Sequence, residues 1–225
     1  MRVRRGPYRR GVSDPFDQSR YQVRFEWGVA GLDRLAPADV VVVVDVLRFS
    51  SSAVARIDAG EEVPLNAAAH AVSLNGAAVA RAAAAGDPAP LVLLGSLRNA
   101  AAVAGAALAE QHRRSGRTSI AVIAAGELAS REPGAPVRFA VEDLLGAGAV
   151  VDALSALGVD HTSPEAAAAC EAFRGLRTSA RHLLTASGSG QELIERGLRD
   201  EVLAAAEVDA SASVPALRSG VFTAY

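Results

Sequence analysis

Residues 40–56 read Val-Val-Val-Val-Val-Asp-Val-Leu-Arg-Phe-Ser-Ser-Ser-Ala-Val-Ala-Arg, and this stretch decides the fold. Five β-branched residues in a row, Val40–Val44, cannot present a polar face to water. Such a run reads as a strand buried on both sides, the pattern of a central parallel strand. At its end stand a carboxylate (Asp45), a guanidinium (Arg48) and three hydroxyls (Ser50, Ser51, Ser52), followed by an alanine-rich helix. In open α/β sheets, ligands bind beyond the carboxyl ends of the strands, where helix N-termini point outward. This turn is therefore the first place to look for anion and metal chemistry.

Working outward, the same unit recurs. Leu91–Leu94 leads into Gly95-Ser96-Leu97-Arg98-Asn99 and a helix to about Arg113, and Ser119–Ala124 leads into Ala125-Gly126-Glu127. The repetition of strand, functional turn and helix predicts a three-layer α/β/α sandwich with a mostly parallel, or mixed, central sheet. Upstream, Tyr21–Trp27 alternates as a strand and Val29–Leu35 reads as a short helix. Short strands are expected at Glu62–Leu65 and Ala71–Leu74, then a helix over Ala77–Ala85. A helix is expected from Val141 to Ala156, with Gly146 and Gly148 marking close packing against another backbone. Ser163-Pro164 starts the next helix, with Ser as cap and Pro in the first turn. The C-terminal third reads as mainly helical: a helix over Arg174–Ala186, a Ser/Gly loop at Ser187–Gly190, short helices after it, and Val221–Tyr225 as an edge strand. Residues 1–20 are expected to be a disordered or loosely docked arm, and 21–225 a single α/β domain.

Composition narrows the function. The 225 residues carry a formal charge of −2, so nothing draws the chain as a whole to nucleic acid or an anionic membrane. No apolar run approaches the ~20 residues of a membrane helix. The basic N-terminus lacks the apolar segment of a secretory signal. All basic side chains are arginine, which leaves no lysine for catalysis. The one cysteine, Cys170, lies in an alanine-rich helix and suits a reduced, cytoplasmic compartment. None of the four histidines has metal-ligand spacing. No phosphate-binding Gly-Lys loop, dinucleotide fingerprint or Gly-x-Ser-x-Gly elbow is present, which disfavours an ATPase, a typical dehydrogenase and an α/β hydrolase. The alanine-rich helices are compatible with a homodimer.

Each residue singled out has two readings. Asp45 is either a Mg²⁺ ligand or general base, or the partner of Arg48 in a turn-pinning ion pair. Arg48 and Arg98 offer forks for phosphate or sulfonate oxygens, or are simply solvated. Ser50–Ser52 bind an anion or cap the following helix. Asn99 holds a ligand or caps. Glu127 lands on the same rim as Asp45, and two carboxylates with two arginines suit a hard cation beside an anionic substrate. Glu142 and Asp143 open a helix, where the dipole favours negative charge with or without a metal.

The segments at 43–51, Asn75-Gly76, Leu-Gly-Ser-Leu-Arg-Asn-Ala (94–100), Ala-Ala-Gly-Glu (124–127), Phe-Ala-Val-Glu-Asp-Leu-Leu-Gly-Ala-Gly (139–148) and Val214-Pro215 occur in that order. As an ordered set over residues 38–220 they resemble the 2-phosphosulfolactate phosphatase family. The resemblance implies a Mg²⁺-dependent α/β phosphatase. Its substrate would be 2-phosphosulfolactate, an intermediate on a route to coenzyme M, and its products sulfolactate and phosphate. The resemblance carries over onto Asp45, Arg48, Ser51, Asn75, Ser96, Arg98, Asn99, Glu127, Glu142 and Asp143. Taken with the residue readings above, catalysis is expected at Asp45, Arg48, Arg98 and Glu127, substrate binding at Ser51, Ser52, Asn75, Ser96 and Asn99, and metal binding at Asp45, Glu127, Glu142 and Asp143. Where family members carry a Gly-rich loop before the Asn-Gly pair, this chain has only the alanine-rich Glu61–Val72. That shortening raises a second reading, a non-catalytic protein that binds a small anion.

Overall fold

The structure is a computed structural model describing residues 14–66, 75–130 and 135–225. Among these, seven strands form one sheet in the order β1-β5-β2-β4-β8-β9-β3. They are β1 (Val23–Trp27), β2 (Val40–Val44), β3 (Val63–Pro64), β4 (Leu91–Gly95), β5 (Ile120–Ala124), β8 (Pro215–Arg218) and β9 (Val221–Ala224). β1, β5, β2 and β4 run parallel. β8, β9 and β3 extend the sheet in antiparallel fashion. A two-stranded ribbon, β6 (Glu127–Leu128) and β7 (Val137–Arg138), stands apart.

The valine run is central, as its composition demands. Its side chains alternate between two cores: Val40, Val42 and Val44 pack in one, Val41 and Val43 in the other. The second core is completed by α1 (Gly28–Arg34), α2 (Phe49–Asp58) and α3 (Gly76–Ala84). The first is completed by α4 (Ala100–Arg114), α5 (Val141–Ala156), α6 (Pro164–Leu176), α7 (Ala180–Ala186), α8 (Gly188–Glu195) and α9 (Arg199–Ala205). Two helical layers thus sandwich the sheet. No helix among the described residues is long and apolar enough to cross a membrane.

A strand apolar on both faces has no hydrophobic pattern to set its register, because a one-residue slip still buries valine. The aspartates bracketing the run supply what the valines lack. At one end Asp39 accepts bonds from the Ser119 N–H and hydroxyl at 2.8 and 2.7 Å and from Arg114 at 2.7 Å. At the other, Asp45 is held by two backbone N–H groups. A slip would drag one carboxylate into the apolar strand, at a cost of several kcal/mol. In the resulting register Val44 lies level with Gly95 and Ala124, so the turns after β2, β4 and β5 share one rim.

The two glycines expected to mark close packing do so. A Cβ at Gly148 would collide with the Ala169 carbonyl of α6, and one at Gly146 with the side chains of Val44 and Val46. Gly148→Ala should therefore destabilise by about 1–3 kcal/mol through overpacking. Gly105, exposed on α4 with nothing near its Cβ position, is the control. There the same change should stabilise by about 0.5–1 kcal/mol through helix propensity. Chemical denaturation of both variants checks the opposite signs.

Several expectations need correction. Val221–Tyr225 is not an edge, since β9 lies between β8 and β3. The edge is β3, where Pro64 sits at the sheet margin as a residue without an N–H should. Ser187–Gly190 is not a loop. Ser187 Oγ accepts the Gly190 N–H at 3.1 Å and caps α8, and the missing side chain at Gly190 lets that helix start against the Leu184 carbonyl. The single helix expected over Arg174–Ala186 is interrupted by a 3-10 turn at Arg177–Ser179. Of the N-terminal arm, residues 14–20 are docked through the buried Gln18, whose side chain bonds both backbone groups of Phe25 at 3.0 and 3.1 Å and covers the free edge of β1. Residues 1–13 and the strand expected at Ala71–Leu74 lie outside the described residues.

Candidate active site

The chain leaves β2 at Asp45, which is 4 % exposed. Its Oδ1 accepts the Phe49 N–H at 3.1 Å and its Oδ2 the Gly76 N–H at 3.0 Å. These N–H groups open α2 and α3, so the carboxylate lies between two positive helix ends. This explains the Asn75-Gly76 pair, because any Cβ at position 76 would overlap Asp45 Oδ2. Ser50 closes the strand end, donating from Oγ to the Val43 carbonyl and accepting the Asp45 N–H, both at 3.1 Å.

Asp143, in the first turn of α5, is 3 % exposed. Its oxygens accept the Val46 N–H at 2.7 Å and the Gly126 N–H at 2.9 Å, tying the turn after β2 to the turn after β5. Burial pushes its carboxyl well above the usual range, and the charges of Asp45 and Glu142 push the same way, against the two N–H bonds. Glu142 is also 3 % exposed and accepts no hydrogen bond from the described residues. Three carboxyl groups therefore converge in a desolvated place.

Glu127 stands at the margin of this group. Its Oε1 accepts Asn75 Nδ2 at 3.4 Å and its Oε2 accepts Ser189 Oγ at 3.2 Å. Asn75 and Gly76 thus join Glu127 to Asp45, as the shared rim required. The expected four-carboxylate metal set is not assembled, however. No group of three or more His, Cys, Asp or Glu side chains among the described residues is arranged to hold a metal ion. Neutral donors hold Glu127, and backbone N–H groups hold Asp45 and Asp143. Mg²⁺ does not need a full protein cage, since one or two carboxylates with water and substrate phosphate are its usual ligands. Asp45 and Glu142, both buried and both acting on Asp143, could serve that open mode, and their negative charge, which adds to burial in raising Asp143, is what a divalent cation would relieve.

The remaining candidates divide. Ser51 is 7 % exposed, and its Oγ is buried without a hydrogen-bond partner among the described residues. Ser52 lies beside it in the first turn of α2, its N–H bonded to the Arg48 carbonyl at 2.9 Å. Ser96 and Asn99, expected to bind substrate, are wholly buried and serve the turn after β4 instead. Asn99 Oδ1 accepts the Ser96 N–H and hydroxyl at 2.9 and 3.1 Å, and its Nδ2 donates to the carbonyls of Leu94 and Ser213 at 3.1 and 3.0 Å. Asn99 has no capacity left for a ligand, and Ser96, whose Oγ also accepts the Arg98 N–H at 3.2 Å, is wholly buried in the turn.

Arg48 does not pair with Asp45 but with Glu201 on α9 at 2.6 Å. Arg98 donates to the Ala204 carbonyl at 2.8 Å and to Glu207 at 3.2 Å. Both guanidinium groups brace the C-terminal helical layer, while Arg98 Nε is buried without a hydrogen-bond partner among the described residues. The sequence reading missed two residues at this rim, Ser189 and Arg138. The Gly188-Ser189-Gly190 run was visible but had no preceding strand to give it meaning. Arg138 lies opposite Glu127 in the β6–β7 ribbon.

Comparison with known proteins agrees with the resemblance read from the ordered motifs. No curated protein matches the chain. The family model described as 2-phosphosulpholactate phosphatase matches residues 65–220, which takes in Asn75, Glu127, Glu142, Asp143 and Ser189 and begins after the β2 turn. With most of its length matched, the chain belongs to the 2-phosphosulpholactate phosphatase family.

Proposed function

We propose that this chain is a Mg²⁺-dependent phosphatase. It would hydrolyse a small, multiply anionic phosphoester, 2-phosphosulfolactate or a related phospho-acid, to the hydroxy acid and phosphate in a reduced, cytoplasmic compartment. The observation that carries the reading is the convergence of Asp45, Glu142 and Asp143, all nearly buried, at the carboxyl ends of parallel strands.

Hydrolysis breaks the bond between phosphorus and the ester oxygen. Water delivers its oxygen to phosphorus, and a proton ends on the departing alkoxide. Mg²⁺, held by Glu142 and Asp45, would supply charge neutralisation on the phosphoryl oxygens. The chain's own groups do the rest. Asp45, fixed by two N–H bonds, presents its remaining lone pairs in one orientation and accepts the proton of the attacking water. Asp143, buried and acted on by the charges of Asp45 and Glu142, holds its proton more tightly than an ordinary carboxyl. Ser51 Oγ, buried without a partner among the described residues, is a hydroxyl in reserve for a phosphoryl oxygen.

Phosphate release from 2-phosphosulfolactate, assayed with and without Mg²⁺, tests the proposal. Mg²⁺-dependent release supports it. If neither this ester nor related phospho-acids release phosphate with Mg²⁺ present, the activity is refuted. Binding of sulfolactate without release would favour the non-catalytic anion binder, the reading consistent with the short segment before Asn75.

A further inference from the structure

Three arginines surround the rim, and two already have carboxylate partners: Arg48 has Glu201 at 2.6 Å and Arg98 has Glu207 at 3.2 Å. The third, Arg138, is exposed and has neither a carboxylate partner nor a hydrogen-bond acceptor for its guanidinium among the described residues. It is nevertheless placed by the fold. Register sets it across from Glu127, and its carbonyl oxygen lies 2.9 Å from the Cβ position of Gly126. Its Nη2 lies 3.4 Å from the Cβ position of Gly188, at the opening of α8. Glu127, the obvious counter-ion, faces Asn75 and Ser189 instead. A cation beside the start of a helix meets the positive end of the dipole, so the local field repels it. Backbone pairing thus holds an uncompensated guanidinium at the margin of a carboxylate-rich site.

We propose that Arg138 is a specificity-determining residue that takes the second acid group of the substrate, a carboxylate or sulfonate, while the phosphoryl end lies at Asp45 and Glu142. The proposal rests on the phosphatase reading for its substrate class. A guanidinium fork matches two oxygens of such a group.

Arg138→Gln should lower the ratio of kcat/KM for 2-phosphosulfolactate to kcat/KM for phenyl phosphate by about tenfold, mostly through KM. Phenyl phosphate has no second acid group. Arg138→Lys should restore part of that ratio. In parallel, calorimetry with sulfolactate should show about tenfold weaker binding to the Gln variant, with inorganic phosphate binding affected far less. Equal losses on both esters, unchanged sulfolactate affinity, or a parent protein that does not bind sulfolactate would overturn the assignment. The binding arm needs no turnover. A parent that binds sulfolactate through Arg138 but releases no phosphate removes the phosphatase reading and leaves Arg138 in place.

Discussion

Asp45→Asn is expected to lower kcat for phosphate release by roughly 10²–10³-fold, the scale for losing one preorganised charged group. Both oxygens of Asp45 accept backbone N–H groups, from Phe49 and Gly76. An amide offers one oxygen and one NH₂, so one N–H must face another donor. That mismatch should cost about 1–3 kcal/mol of stability. For a chain of this size each 1 kcal/mol lowers Tm by about 2–4 °C. The two effects separate cleanly if activity is measured at 25 °C, where the variant is still folded by circular dichroism. Activity within twofold of the parent on every phosphoester tested would remove Asp45 from the chemistry and leave it a turn-former.

Glu142→Gln should do the opposite to stability while also reducing turnover. The Asp143 carboxyl is raised well above its ordinary value of 3.8, by burial first and then by its acidic neighbours. In the unfolded chain it returns to the ordinary range, so the native state binds more protons between the two values. Stability must therefore fall as pH rises from about 4 through the raised native value. Removing the Glu142 charge lessens the rise and flattens that slope. At pH 7 without Mg²⁺ the variant should be more stable by about 1 kcal/mol, or 2–4 °C in Tm. Mg²⁺ should raise the Tm of the parent and not of the variant, and phosphate release should drop by about 10²-fold. A Tm unchanged at pH 7, together with an unaltered response to Mg²⁺, would mean that Glu142 neither strains the cluster nor holds the ion.

The parts of this molecule that could be read in advance share a physical origin. Burial on both faces is written into Val40–Val44, and a cap into Ser163-Pro164, because both depend on neighbours within a few residues. Gly148 was readable as a close approach because nothing else justifies glycine inside a helix, although its partner, the Ala169 carbonyl, was not. The side-chain partners at the rim were misread for the complementary reason. Arg48 meets a carboxylate 153 positions away, and Arg98 one 109 positions away. Nothing near either arginine distinguishes a guanidinium waiting for phosphate from one bracing a distant helix. Asn99 was balanced between cap and ligand until Ser213 arrived from the C-terminal segment to take its last donor.

The amino-acid sequence alone settled the parallel part of the sheet, its buried central strand and the delivery of Asp45 and Glu127 to one rim, since apolar pattern encodes burial and chain direction encodes which end is which. Tertiary structure decided which charges at that edge are neutralised and which remain. A side chain has several polar partners of similar energy within reach, and only the arrival of α8, α9 and the β6–β7 ribbon selects among them. That selection engages Arg48, Arg98, Ser96 and Asn99 in holding the fold, and leaves Glu142, Ser51 and Arg138 with capacity for a ligand.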